Sequence, residues 1–101
     1  DELFKITVPA KVQSYMASGK PLLGAISGEG KILIEESNCG LVCEAEDYKT
    51  LSNMAIKMSK MSVDDRNKLG TNGLNYYNEN FDRKILLSKI TNLLLYDFEE
   101  R

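Results

Sequence analysis

Apolar residues along the chain change their spacing several times, and each change marks an element boundary. After Pro9, Val12, Tyr15 and Met16 recur at helical spacing and Gly19 closes the run, which predicts a helix over residues 9–18. Proline suits that first turn, because its missing N–H would be unpaired there anyway. The continuous apolar run Pro21-Leu22-Leu23-Gly24-Ala25-Ile26 reads instead as a strand covered on both faces. Ser27-Gly28-Glu29-Gly30 forms a turn, and Ile32, Leu33 and Glu36 follow on a helix over residues 30–37. Asn38-Cys39-Gly40 ends that helix, with Gly40 available for a left-handed cap. Leu41-Val42-Cys43-Glu44-Ala45 is a second strand of the same kind. Strand, turn, helix, turn and strand within about 25 residues describe a βαβ unit, two parallel strands joined by a right-handed crossover.

Beyond this unit the pattern is helical throughout. Asp47 is a good N-cap for a helix whose Leu51, Met54, Ala55 and Met58 share one core-facing stripe. Ser62-Val63-Asp64-Asp65 matches a capping box and opens the next helix, with a break expected near Gly70. Asp82 caps a last helix over residues 83–98, whose apolar residues nearly encircle it, so burial by more than one neighbour is expected. Residues 1–8 are mixed and fit a loop or a strand end. Two strands against four or five helices leave two unpaired sheet edges, whereas parallel sheets normally contain more strands. The expectation is therefore an α/β chain that forms the C-terminal portion of a larger domain across residues 1–101, with further strands before Asp1; a start at Asp rather than Met fits a cut or processed terminus.

Composition narrows the chemistry. The 101 residues carry a net charge of −2, which argues against a general nucleic-acid binder. Histidine is absent, which removes His-based general-base and nucleophile pairs and most zinc sites. No apolar run approaches the roughly 20 residues that span a bilayer. Cys39 and Cys43 are the only cysteines, and their C-x3-C spacing is neither a redox pair nor half of a zinc motif. They read as two reduced, partly buried thiols, and the compartment expected is the cytoplasm, with peripheral placement at an inner membrane left open.

The run Val8-Pro9-Ala10-Lys11-Val12-Gln13-Ser14-Tyr15-Met16-Ala17-Ser18-Gly19-Lys20-Pro21-Leu22-Leu23 resembles the donor-side motif of glycosyltransferase family 4, which reads approximately P-x-K-x-x-E-Y-M-A-x-G-K-P-V-I. Later segments follow in that family's order: Gly28-Glu29 at its turn, Cys39-Gly40-Leu41-Val42 at its G-x-x-V strand, and Glu46-Asp47 with Leu51 at its P-x-D-x-x-x-L-A helix start. Arg66, Leu69 and Gly70 resemble its R-x-x-M-G stretch, and Tyr77 with Phe81 its Y-x-x-x-F. The resemblance implies a GT-B enzyme with two Rossmann-like domains, this chain being part of the donor-binding one. It implies a retaining transferase, acting in bacterial surface-polysaccharide (lipopolysaccharide or capsule) biosynthesis on a nucleotide-diphosphate sugar, a UDP-sugar first. The isolated chain would be inactive without its N-terminal domain, against which the last helix would pack. No cofactor and no catalytic residue is assigned.

The chemistry that a diphosphate needs is present around Pro9. A helix start offers unpaired N–H groups and a positive dipole end, and the carboxyl ends of parallel strands are where ligands sit in open α/β sheets. Thr7, Val8, Pro9, Ala10, Lys11 and Ser14 are the candidate substrate-binding residues, with Lys11 neutralising phosphate charge. Lys11 reads equally as a solvated helix lysine. The family's two glutamates, with seven residues between them, would fall at Ile6 and Ser14, and neither is acidic. Ser14 replaces a ribose-binding carboxylate with a weaker hydroxyl partner, and Gln13 is the nearest substitute. Tyr15 and Met16 read as core, Glu29 as a helix cap, and Asp64 with Asp65 as first-turn helix charges. A rival of a different class is a non-enzymatic interaction module, dimeric through an open sheet edge or the last helix.

Overall fold

The computed structural model describes residues 3–99. Its elements run β1 (Lys5–Thr7), a 3₁₀ turn (Pro9–Lys11), α1 (Val12–Met16), β2 (Leu22–Ala25), α2 (Glu29–Ser37), β3 (Gly40–Cys43), α3 (Tyr48–Lys60), α4 (Val63–Asn80) and α5 (Arg83–Glu99). The α/β class and the β2–α2–β3 unit agree with the sequence pattern. The two-strand count does not: residues 5–7 form a third parallel strand, and the sheet order is β1-β2-β3. Lys5 pairs with Leu22 and Thr7 with Gly24, while Gly24 pairs onward with Val42. β1 escaped the pattern because Lys5-Ile6-Thr7 is only three residues long and carries one apolar side chain.

Alternation along the strands sorts the core into two sides. Leu22 faces one way and packs with Val12, Met16, Ile26 and Ile34; the half-buried Tyr76 and Tyr77 of α4 close over that cluster. Leu23 faces the other way and is fully buried, as is Met58 of α3, the helix that lies on β2 and β3. The stripe Leu51, Met54, Ala55 and Met58 therefore does what its spacing predicts. Ile6, which pairs with Leu23 and shares its face, is 65% exposed, because α3 does not extend over β1.

Three boundaries differ from expectation, each for a local reason. The helix expected over residues 9–18 is a 3₁₀ turn followed by five α-helical residues, and Gly19 at φ +73° turns the chain toward β2. Asn38, not Gly40, takes the left-handed position after α2, with φ 52°. Gly40 opens β3 instead, where a Cβ would collide with the Leu22 backbone. α4 runs unbroken through Gly70, which is buried against the backbone of Gly19. A glycine there answers a close approach, not a break.

The N-caps at Asp47 and Ser62 behave as the sequence indicates. Asp47 accepts a hydrogen bond from the Thr50 amide at 3.2 Å, and Ser62 accepts one from Asp65 at 3.1 Å. α5 is the exception in packing: it touches α4 at the junction, and Leu86, Leu87, Ile90, Leu93, Leu94, Leu95 and Tyr96 are all exposed. The burial by several neighbours expected for this helix is not met among the described residues.

Candidate functional site

Because the three strands are parallel, the loops after Thr7, Ala25 and Cys43 gather at one end of the sheet. The first loop carries most of the sequence-nominated residues. Thr7 is buried, and its hydroxyl donates to the Val8 carbonyl at 3.1 Å. Val8 is extended and exposed, and Pro9 sits at the start of the 3₁₀ turn that Lys11 closes by donating its amide to Val8 O at 2.9 Å. Ala10, Lys11 and Ser14 are exposed. The structure thus brings Val8 to Lys11 together on one turn facing solvent. It points Thr7 inward, and it places Ser14 one helical turn further on.

The expected α-helical N-terminus at Pro9 is a correction as well. A 3₁₀ turn with a five-residue α1 behind it offers little aligned dipole. Any anion held here depends on local amides and on the Lys11 ammonium rather than on a long helix axis.

A groove of about 350 Å³ opens beside the turn, lined in part by Pro9, Val12, Gln13, Glu29, Leu33 and Phe81. That volume is at the lower end of what small-molecule sites use, roughly 300–1,000 Å³. Among the nominated residues only Pro9 borders it. Gln13 does as well, and so does Glu29, whose place at the start of α2 fits its reading as a first-turn charge.

The second and third loops are tied together by a polar bridge that sequence reasoning missed. Ser27 Oγ donates to Glu44 Oε2 at 2.5 Å and accepts from the Ala45 amide at 3.0 Å, while Lys31 Nζ donates to Glu44 Oε1 at 2.8 Å. The hydrogen bond from Lys31, followed by that from Ser27, holds the Glu44 carboxyl below its ordinary range, and the same pairing raises Lys31. In the structure Ser27 and Glu44 each follow a strand end, β2 at Ala25 and β3 at Cys43, whereas the sequence pattern carried the second strand on through Ala45.

Cys39 and Cys43 are free and buried, Cys39 just before β3 and Cys43 its last residue. Burial pushes the Cys39 thiol upward, which makes it a packing group and not a nucleophile. Among the described residues no group of three His, Cys, Asp or Glu side chains could hold a metal ion, and no helix is long and apolar enough to cross a membrane. Asp64 and Asp65 lie in the first turn of α4 under the Ser62 cap.

Compared with protein-family models, curated proteins and solved structures, the chain matches none of them.

Proposed function

We propose that the chain is a donor-side segment of a nucleotide-sugar-binding domain, belonging to a GT-B glycosyltransferase of surface-polysaccharide assembly that works on the cytoplasmic side. The observation that carries this reading is the Val8–Lys11 turn. Its motif residues stand directly beyond the carboxyl end of a parallel strand, solvent-facing, with a lysine on the turn. Diphosphate oxygens would accept from turn amides and from Lys11, and neutralisation there would help the nucleotide leave. Catalysis would need the acceptor-binding domain, so this chain alone binds and does not transfer.

Titration of the ¹⁵N-labelled chain with UDP tests the reading. Weak binding should perturb the amides of Val8, Ala10 and Lys11, and Lys11→Ala should remove the response. A response confined to other loops, or none at millimolar UDP, overturns it. In a protein that also carries the acceptor domain, Lys11→Ala should cut transfer far more than it lowers Tm; equal loss of both would make Lys11 structural.

A further inference from the structure

The groove beside the Val8–Lys11 turn carries carboxylates and, among the described residues, no lysine or arginine lines it. Glu29, Leu33 and Glu36 share one face of α2 and form one wall. Pro9 and Gln13 stand on the opposite wall, and the half-buried Phe81 adds an aromatic ring. Glu29 lies at the same end of the groove as Pro9, because the 3₁₀ turn and the start of α2 follow the carboxyl ends of neighbouring parallel strands. Glu36 is two helical turns further on, about 10 Å along the axis. That span is comparable to the reach of a nucleoside from its 5′-phosphate to the far edge of its base. Among the described residues Glu36 takes one long hydrogen bond, from the Tyr76 hydroxyl at 3.5 Å, and Glu29 takes none. Both carboxylates therefore keep acceptor capacity facing a largely apolar groove.

On the reading that the Val8–Lys11 turn holds a nucleotide diphosphate, we propose that the adjoining groove holds the nucleoside and that Glu36 selects guanine as its base. A carboxylate accepts hydrogen bonds and donates none. Of the common bases only guanine sets two donors side by side, N1–H and the N2 amino group, which can meet both oxygens of one carboxylate. Uracil places its single N3–H between two carbonyl oxygens. Cytosine and adenine each place a ring-nitrogen acceptor beside the amino group. All three would therefore turn a lone pair toward Glu36 and leave it poorly satisfied. The Gln13 carboxamide has an amino group to donate to guanine O6. Phe81 and Leu33 supply aromatic and apolar surface for the base. Glu29, at the phosphate end, has acceptors for ribose hydroxyls. The donor is then a guanosine-diphosphate sugar, not the UDP-sugar that the family resemblance suggests.

Parallel titrations of the ¹⁵N-labelled chain with GDP and with UDP test this. Both nucleotides should perturb the amides of Val8, Ala10 and Lys11, through the diphosphate they share. GDP alone should also perturb Leu33, Glu36 and the Gln13 side-chain amide, and it should bind about tenfold more tightly than UDP, the worth of one good bidentate pair. Glu36→Gln keeps an acceptor for Tyr76 but puts an amino group where the second oxygen was, and it should bring GDP down to the level of UDP. Equal affinities with the turn responding to both nucleotides, or a GDP preference that survives Glu36→Gln, overturns guanine selection and leaves the diphosphate reading standing. A turn that responds to neither nucleotide overturns both.

Discussion

Glu44 shows how much a single exposed side chain can organise at the sheet end. It accepts from both Ser27 and Lys31, and the Ser27 hydroxyl in turn receives the Ala45 amide, so one carboxylate fixes the loops after β2 and β3. Its lowered pKa means that its contribution to stability is present above the unfolded carboxylate range and is lost as pH falls through the folded value. Lys31 is raised, so its share is present below the ordinary lysine range and fades as pH rises through its folded value. The bridge is therefore fully formed across neutral pH. Carbon-detected NMR titration should place Glu44 below an ordinary glutamate, and Lys31→Ala should return it most of the way, since the Lys31 hydrogen bond is the largest cause. An unchanged value in Lys31→Ala would assign the shift to Ser27 instead. None of this was legible in the sequence, because Ser27, Lys31 and Glu44 belong to separate local patterns that meet only through parallel pairing of β2 and β3. Pro9 and Lys11 were legible because their chemistry is local to one turn.

At the scale of elements, the sequence was most informative where a helix buried a regular stripe or carried a polar cap. Met58 and Asp47 did what their spacing and residue type foretold. It was least informative where backbone meets backbone. Gly70 looks like a breaker, yet its role is to let α4 approach Gly19, a contact some fifty residues away in sequence that no local window contains. Gly40 looks like a cap, yet Asn38 takes the left-handed turn and Gly40 fits under Leu22. These assignments separate by mutation. Asn38 at φ 52° pays for a conformation that glycine adopts freely, and Asn72 Nδ2 donates to its carbonyl at 2.9 Å, a bond that does not need the Asn38 side chain. Asn38→Gly should be within about 0.5 kcal/mol of the parent, whereas Asn38→Ala should cost about 1 kcal/mol. Gly40→Ala should be much worse than either, at about 3 kcal/mol or more, because the methyl group meets main chain that cannot step aside. Urea unfolding of the three variants decides the matter; equal losses at Asn38→Ala and Gly40→Ala would return the cap to Gly40.

For the whole molecule, the decisive feature is how unevenly the packing is shared. The cluster built on Leu22, Met16 and Ile34 joins α1, α2 and α4 to the sheet, and α3 covers β2 and β3 from the other side. Among the described residues α5 contributes to neither; it extends from the end of α4 and stretches the molecule to 57 × 28 × 18 Å. Its apolar residues were visible in the sequence, but their number alone could not tell a buried helix from an unpartnered one. The arrangement predicts two separable layers of stability. A chain ending at Asp82 retains every residue of the main cluster, including Tyr76 and Tyr77, and keeps Phe81, whose ring lies 6.0 Å from Tyr76 and 6.1 Å from Tyr77. It should therefore unfold in one cooperative urea transition, with a midpoint close to that of the 101-residue chain. If the shortened chain loses its cooperative transition, α5 supports the core directly, and the division between a self-sufficient α/β layer and α5 is wrong.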